Sequence, residues 1–142
     1  AAYKGGNMVA VMDVPKSDTG SYGIVTPGKD DGRIIDVSGL VEKPDPAEAP
    51  STIGVVGRYI IEPGVFTHLA SQDRGASNEV QLTDALARQI GKVPFHGLRF
   101  SGERFDCGSK VGFVQANIAF AMSRDDLANR LQNWLANRFP NT

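Results

Sequence analysis

The sequence predicts an α/β fold in which a mixed or mostly parallel sheet carries helices on its faces. Two kinds of segment indicate this class. Short stretches rich in Val and Ile, ended by Pro, Gly or Asp, are typical of strands and dominate the first half of the chain. Longer stretches with apolar residues three or four positions apart are typical of amphipathic helices and follow them. In such a fold, the loops at the strand ends form the working surface.

Five extended segments are expected in the first half of the chain. The first, residues 8–14, is apolar and β-branched. The next two pair as a hairpin, because residues 29–32 are rich in turn formers, and Pro27 is expected to end the first of them. Pro44 closes a further segment, since it disfavours helical torsions in Lys43. The five segments are residues 8–14, 22–25, 33–37, 40–44 and 52–61.

The middle of the chain predicts two helices from signals at their starts. The first covers residues 62–69 and has Pro63 in its first turn, where a missing N–H is tolerated. The second covers residues 79–90, with Asn78 as its cap and Gln81 placed to return the contact. The polar side chains of this second helix, Thr83 among them, show no reactive partner in the sequence.

Two more helices are predicted at the end of the chain, after a pair of short strands within residues 95–105. Ser109 is expected to cap a helix that runs to Met122. Ser123 and Asp126 have the spacing of a capping box at the start of the last helix. That helix carries one apolar stripe, formed by Leu127, Leu131, Trp134 or Leu135, and Phe139.

Composition narrows the classes of function. The chain has 142 residues, of which 41% are hydrophobic and 22% charged, as in one compact globular domain. Fifteen basic residues balance sixteen acidic ones, and no basic block is present, which argues against a nucleic-acid partner. The single Cys107 gives no internal disulfide and no multi-cysteine zinc site, which favours the cytoplasm. The longest apolar run, residues 53–61, is far shorter than the ~20 residues of a membrane span.

Glu42 and Lys43 form the first candidate site, at the end of an extended segment before Pro44. A carboxylate accepts two sugar hydroxyls, and an ammonium meets phosphate oxygens as a mobile charge, so the pair suits a sugar phosphate. Neighbouring strand residues point to opposite faces, so one ligand meets both only where the strand opens into a cleft. The residues alone favour a surface ion pair ahead of a turn.

Four further residues are candidates that also have structural explanations. Asp106 stands before a glycine turn and a helix start, where it could cap the helix or offer a hard oxygen to Mg²⁺. Gly23 suits a turn, or the close approach of backbone to a ligand. Val55 and Gly57 read as strand residues of the core. The isolated His68, His96 and Cys107 are assigned no role.

Four short segments together resemble the bacterial glucose-1-phosphate uridylyltransferases, in the order and spacing that this family uses. The resemblance covers nearly the whole chain. It rests on Tyr22-Gly23-Ile24-Val25, Val41-Glu42-Lys43-Pro44, the stretch from Asn78 to Ala85 (NEVQLTDA), and the stretch from Phe105 to Lys110 (FDCGSK).

The resemblance implies a role for each candidate residue. Glu42 and Gly23 would hold the glucose ring, with the backbone at Val55 and Gly57 against the hexose. Lys43 would bind the phosphates, and Asp106 would help to hold Mg²⁺. The implied fold is part of a Rossmann-like nucleotide-diphospho-sugar transferase. The implied reaction joins UTP and glucose 1-phosphate to give UDP-glucose and pyrophosphate.

The resemblance also implies that a part of the enzyme lies outside this sequence. The family's glycine-rich nucleotide loop and a second metal-binding aspartate have no counterpart here, so the chain corresponds to the C-terminal half and is expected to be inactive alone. Residues 1–122 would be the sugar-phosphate-binding half. The apolar stripe of the last helix, in residues 123–142, would pack either against another subunit of a homo-oligomer or against its own domain. The alternatives are a thymidylyltransferase, or a non-catalytic sugar-phosphate-binding or assembly module.

Overall fold

The computed structural model describes residues 5–71 and 80–140. The chain divides into two compact units, Ala1–Ser101 and Gly102–Thr142. The boundary predicted from the sequence, between residues 1–122 and 123–142, concerns function rather than compactness and remains a prediction. The first unit contains the sheet and two helices, and the second contains two helices.

A five-stranded mixed sheet forms the first unit and closes into a barrel. The strand order around the barrel is β1-β4-β2-β3-β5. Only β1 and β5 pair in parallel, and the other neighbours are antiparallel. The mixed sheet is therefore confirmed, but it is mostly antiparallel rather than mostly parallel. The strands are β1 (Asn7–Asp13), β2 (Gly23–Asp30), β3 (Ile34–Glu42), β4 (Ile53–Ile60) and β5 (Phe95–Arg99).

The predicted hairpin is present as β2 and β3, and its turn is held by aspartates. Asp30 accepts a 2.8 Å bond from the backbone N–H of Gly32, and Asp31 accepts bonds from the next two N–H groups. The Arg99 guanidinium donates to both oxygens of Asp30 at 2.8 and 2.9 Å, which lowers the pKa of that carboxyl. Pro27 does not end β2, because the ladder shifts its register there and needs no donor from it.

Two short helices accompany the barrel, α1 (Gly64–Ser71) and α2 (Leu82–Ala87). α2 packs against β3 and α1. The core of the unit joins barrel strands and both helices and is mainly apolar, although the polar Asn7 and Thr19 are also fully buried. Its fully or almost fully buried members include Val9, Val11, Val25, Ile35, Val65 and Leu86.

Three segments of this unit differ between the structure and the sequence-based prediction. α2 begins at Leu82, with Gln81 as an N-cap that makes no side-chain bond, so the predicted start at residue 79 is wrong. Asn78, the predicted cap, and Glu79, the predicted first residue of the helix, lie outside the described residues. Within residues 95–105 only β5 forms. Its partners are β1 and β3, which are distant in sequence, so the predicted local pairing does not occur. Residues 16–21, which lie between two predicted strands and were assigned to no helix, form a 3₁₀ helix.

The second unit is a pair of helices, α3 (Lys110–Met122) and α4 (Asp125–Arg138). Ser109 caps α3 as predicted, because its Oγ accepts a 3.0 Å bond from the N–H of Gly112. Ser123 does not cap α4. The N-cap is Arg124, whose guanidinium pairs with Asp126 and thereby occupies the carboxylate of the predicted capping box.

Within the described residues, every helix is too short or too polar to cross a lipid bilayer.

Candidate functional site

The ends of β2 and β3 place Gly23 beside Glu42, and α2 adds Thr83 to the same point. Gly23 and Glu42 are directly paired across the two strands. The Thr83 hydroxyl donates a 2.6 Å hydrogen bond to Oε2 of Glu42. A Cβ atom on Gly23 would stand 3.2 Å from Oε2 of Glu42 and 3.4 Å from Oγ1 of Thr83. The missing side chain of Gly23 therefore leaves open the space beside this carboxylate.

Lys43 leaves the strand in a left-handed backbone conformation, with φ of 45°. A non-glycine residue held there costs on the order of 1–3 kcal/mol. Its N–H is anchored at 3.0 Å to the carbonyl of Tyr22, and Pro44 follows directly. The kink overrides the alternation expected of a strand, because Nζ of Lys43 lies 3.9 Å from Oε1 of Glu42. The carboxylate of Glu42 and the ammonium of Lys43 thus converge at one point. From the sequence, such convergence was expected only if the strand end opened into a cleft.

The two converging side chains differ in exposure. The side chain of Lys43 is 59% exposed, whereas that of Glu42 is 23% exposed. An exposed ion pair at 3.9 Å contributes less than ~1 kcal/mol, so the pair adds little to stability. The carboxylate is instead held from the other side by Thr83. The arrangement presents a fixed acceptor beside a mobile positive charge.

Tyr59 on β4 joins this site electrostatically. Burial raises the pKa of its phenol, and the negative charge of Glu42 raises that pKa further. Tyr59 could not be identified from the sequence, because it lies in a segment that reads as an ordinary strand. Thr83 was also missed, because the hydrogen bond that gives it a partner joins residues 41 positions apart.

Val55 and Gly57 lie on β4, at an irregularity between that strand and β1. Val11 pairs with Val55 but Val9 pairs with Tyr59, so β4 carries extra residues over this stretch. Gly57 has φ of 75° and no atom within 4 Å of an added Cβ. Val55 is partly buried and packs on the core. Its side chain therefore serves the fold, and the bulge with Gly57 sets the position of Tyr59.

Asp106 lies in the second unit, in the loop that leads into α3. Its Oδ1 accepts a 3.1 Å bond from the N–H of Gly108, which closes a local turn. Its carbonyl accepts a 3.1 Å bond from the hydroxyl of Ser109. A side chain at Gly112 would overlap that carbonyl, so this glycine is required for the tight start of α3. Ser109, not Asp106, is the helix cap, so the capping alternative for Asp106 is wrong.

Few side chains that could bind a metal ion lie close together in the described residues. No group of three or more His, Cys, Asp or Glu side chains in the described ranges could hold one. Asp106 is exposed and carries a hard carboxylate, the ligand type that Mg²⁺ prefers. Oδ1 accepts the bond that closes the turn, which leaves Oδ2 as the carboxylate oxygen of Asp106 that could bind a metal ion.

The remaining titratable candidates make local contacts. Nδ1 of His96 lies 3.1 Å from Oδ1 of Asp36 on the neighbouring strand. Cys107 is exposed and lies in the loop before α3.

Comparison with known proteins relates the chain to one family. A family model described as nucleotidyl transferase matches residues 1–123. The UTP--glucose-1-phosphate uridylyltransferase of Komagataeibacter xylinus is 55% identical over 131 residues, which are 92% of this chain and 44% of that protein. The chain therefore spans less than half the length of this relative.

Solved structures agree with the sequence matches. A UDP-glucose pyrophosphorylase complexed with UDP-glucose is 34% identical, with a TM-score of 0.78, over 84% of this chain and 45% of that one. A UTP-bound UGPase from Acinetobacter baumannii is 30% identical, with a TM-score of 0.77, over 92% and 45%. These matches confirm the α/β class and the resemblance drawn from the four sequence segments.

Proposed function

The chain belongs to the nucleotidyl transferase family, and on that premise we propose that it forms the sugar-phosphate-binding part of a UTP:glucose-1-phosphate uridylyltransferase. The observation that carries the proposal is the convergence of Glu42, Lys43 and Gly23 at one strand end. The reaction is the attack of a glucose 1-phosphate oxygen on the α-phosphorus of UTP. A P–O bond forms, pyrophosphate leaves, and UDP-glucose results without a covalent enzyme intermediate.

Glu42 is the residue that recognises the sugar. An ionised carboxylate accepts hydrogen bonds from two neighbouring hydroxyls, which is the pattern that a hexose offers. Thr83 holds Oε2 at 2.6 Å and so fixes the orientation of the acceptor before the sugar arrives. Gly23 leaves the space in which the ring lies against the backbone. Val55 and Gly57 complete this side of the pocket through their backbone.

Lys43 is the residue that meets the phosphates. Its ammonium is exposed and close to Glu42, so a sugar held by the carboxylate brings its 1-phosphate within reach of Nζ. A positive charge near the transferring phosphoryl group stabilises the charge that develops in the transition state. Lys43 thereby has both a binding and a catalytic role.

Asp106 is proposed as a ligand of Mg²⁺. When bound, this ion would neutralise negative charge on the phosphates. The turn to Gly108 holds the carboxylate at the start of α3, which limits the motion of the ligand.

The rest of the proposal concerns what surrounds this chain. The nucleotide would bind mainly to a Rossmann-like part, corresponding to the N-terminal half of the family fold. UTP, glucose 1-phosphate and UDP-glucose would be the substrates and product, and the setting would be the cytoplasm. The active form would be a homo-oligomer, with α4 and the residues from 123 onward at the subunit interface and residues 1–122 in the catalytic domain.

The binding of glucose 1-phosphate to the isolated chain tests the proposal. We expect two-dimensional NMR titrations to give a lower Kd for glucose 1-phosphate than for glucose or inorganic phosphate. Glu42→Gln should abolish the preference over phosphate, and Lys43→Ala should abolish the preference over glucose. Glu48→Gln, at an exposed carboxylate on the following loop, is the matched control and should change neither. Equal affinity for all three compounds would overturn the sugar-phosphate site.

A further inference from the structure

Tyr22 opens the first of the four segments that carry the resemblance, and it has no role in the proposed function. It lies between the 3₁₀ helix Lys16–Ser21 and β2. Its N–H donates a 3.1 Å bond to the carbonyl of Thr19, which ends the helix. Its own carbonyl accepts the 3.0 Å bond from the N–H of Lys43. Tyr22 therefore connects this helix to the residue that is proposed to meet the phosphates.

The backbone of Lys43 depends on contacts of this kind. Within the described residues, Lys43 is the only non-glycine residue with a positive φ. Such a conformation persists only where the surrounding structure determines it. The bond to Tyr22 adds one backbone contact beyond the pair of Gly23 and Glu42, where the ladder of β2 and β3 ends. The chain therefore turns at Lys43 while this residue is still bound to Tyr22.

The 3₁₀ helix also lies against the chain that follows Lys43. A Cβ atom on Gly20 would stand 3.5 Å from the carbonyl oxygen of Pro44 and 3.8 Å from Cδ of Pro46. Thr19, the neighbour of Gly20, is fully buried, and its hydroxyl donates a 2.8 Å bond to the carbonyl of Lys16. The turn at Lys43 thus meets one short segment, residues 19–22, on both of its sides.

The aromatic ring of Tyr22 fixes this segment to the barrel. A Cβ atom on Gly54 of β4 would stand 3.3 Å from Cγ of Tyr22 and 3.2 Å from Cγ1 of Val14. The side chains of Tyr22 and Val14 therefore fill the space beside this glycine. Because packed side chains leave little room to shift, the carbonyl of Tyr22 cannot move far without breaking the contact with Gly54.

The torsion of Lys43 decides where its ammonium lies. Successive residues of an extended strand point to opposite faces, so an extended Lys43 would direct its side chain away from that of Glu42. At φ of 45°, Nζ instead lies 3.9 Å from Oε1 of Glu42. An ion pair with so exposed a lysine is too weak to hold the turn by itself. The backbone contacts must therefore hold it.

We propose that Tyr22 is a positioning residue for Lys43. Its carbonyl holds Lys43 in the left-handed conformation, and its ring, packed on Gly54, holds that carbonyl in place. The ammonium is thereby kept beside Glu42, within reach of the phosphate of a sugar that this carboxylate binds. The benefit to phosphate binding rests on the proposed function, whereas the positioning of Lys43 can be measured without a ligand.

NMR of the full chain tests the positioning. A positive φ brings the N–H and Hα protons of one residue close together, so Lys43 should give a strong NOE between them. Tyr22→Ala removes the ring and should weaken this NOE about threefold, because the two protons separate when φ returns to ordinary values. Tyr22→Phe keeps the ring and should keep the NOE.

Gly54→Ala is a second change that leaves Tyr22 itself intact. Its methyl group would force the ring of Tyr22 to shift, so the NOE of Lys43 should weaken here too. Gly97→Ala is the matched control, since its Cβ would stand equally close, at 3.3 Å, to Cγ1 of Val11. Gly97 lies on β5 and pairs with Ile35 near the start of β3, so the NOE should stay unchanged. A full NOE in folded Tyr22→Ala or Gly54→Ala would overturn the proposal.

Titration with glucose 1-phosphate tests the consequence for binding. Tyr22→Ala should raise Kd about as much as Lys43→Ala does, and the double variant should bind no more weakly, because both changes remove the same contact. Tyr22→Phe should bind as the original chain does. Additive losses, or an unchanged Kd in Tyr22→Ala, would contradict the positioning role. If the original chain does not bind glucose 1-phosphate, the proposed function fails, and the NOE measurements still decide the role of Tyr22.

Discussion

The hydroxyl of Thr83 lies 2.6 Å from Oε2 of Glu42, and this bond ties α2 to the end of β3. It is a hydrogen bond to a charged group that is only 23% exposed. Bonds of this type contribute about 1.5–3 kcal/mol. It therefore couples the stability of the unit to the orientation of the proposed sugar-binding carboxylate.

Thr83→Val should lower the free energy of unfolding by about 1.5–3 kcal/mol, because the methyl group cannot donate to Glu42. Thr83→Ser keeps the donor and should recover most of that loss. Urea denaturation of the free chain measures both. Thr67→Val, at an exposed position on α1, is the control and should stay within ~0.5 kcal/mol of the original chain. A Val variant as stable as the control would show that the bond is not formed in solution.

Glu42→Gln should lower the pKa of Tyr59, because it removes the negative charge that opposes ionisation of the phenol. The pKa should remain above the ordinary value of 10.0, since burial is the larger cause of the shift. A pKa raised in the folded state favours the neutral phenol. Its contribution to stability is therefore present below pH 10 and is lost as the pH rises through the folded pKa.

Ultraviolet titration of tyrosinate measures this change, and Tyr59→Phe identifies the step that belongs to Tyr59. An unchanged pKa in Glu42→Gln would mean that the two side chains are further apart in solution than in the structure.

The free chain should show no pyrophosphorylase activity, since it spans 44% of the length of its relative and lacks the family's nucleotide loop. A coupled pyrophosphate-release assay with UTP and glucose 1-phosphate measures it. The positive control is a chimera in which this chain replaces the 131 aligned residues of the Komagataeibacter xylinus enzyme. Turnover by the free chain at the rate of the chimera would show that one half suffices.

Glu42→Gln and Asp106→Asn should affect the chimera differently. Glu42→Gln weakens bonds to sugar hydroxyls and should mainly raise KM for glucose 1-phosphate, by ~5- to ~150-fold for a loss of ~1–3 kcal/mol. Asp106→Asn removes an anionic ligand and should lower kcat and raise the Mg²⁺ requirement. Steady-state kinetics at several Mg²⁺ concentrations separate the two. Wild-type values in both folded variants would remove the sugar and metal roles.

Trp134→Asp should lower the mass of an oligomeric chimera, if α4 forms its interface. Trp134 is 57% exposed, and its ring meets Phe139 edge-on at 6.2 Å between centroids. These exposed rings add to the apolar stripe of α4 and suit contact with a second subunit. Light scattering measures the mass and circular dichroism the fold. An unchanged mass with the fold retained would place the interface elsewhere.

Sequence patterns predicted elements whose signals are local. β1 and β4 begin and end within one residue of their predicted bounds, and the Ser109 cap is confirmed. Prediction failed where tertiary contacts decide the outcome. Pro27 stays within β2 because the register shifts around it. β5 takes partners that are far away in sequence.

In the candidate site too, local signals identified some residues, whereas tertiary contacts brought in others. Glu42, Lys43 and Gly23 were found from their residue types and from the resemblance. The predicted hairpin paired residues 22–25 with 33–37, whereas the structure pairs Gly23 with Glu42. Thr83 and Tyr59 come from other elements, and only the closure of the barrel and the packing of α2 bring them to Glu42. The left-handed torsion of Lys43 could not be predicted either, because a lysine rarely adopts it.

The closed barrel also bears on how the first unit behaves in water. An open sheet ends in strands whose unpaired N–H and C=O groups recruit other chains. Here each of the five described strands has a neighbour on both sides. The described strands thus offer no template for edge-to-edge aggregation. The exposed apolar side chains of α3, such as Phe113 and Phe120, are therefore the greater aggregation risk when the chain is expressed by itself.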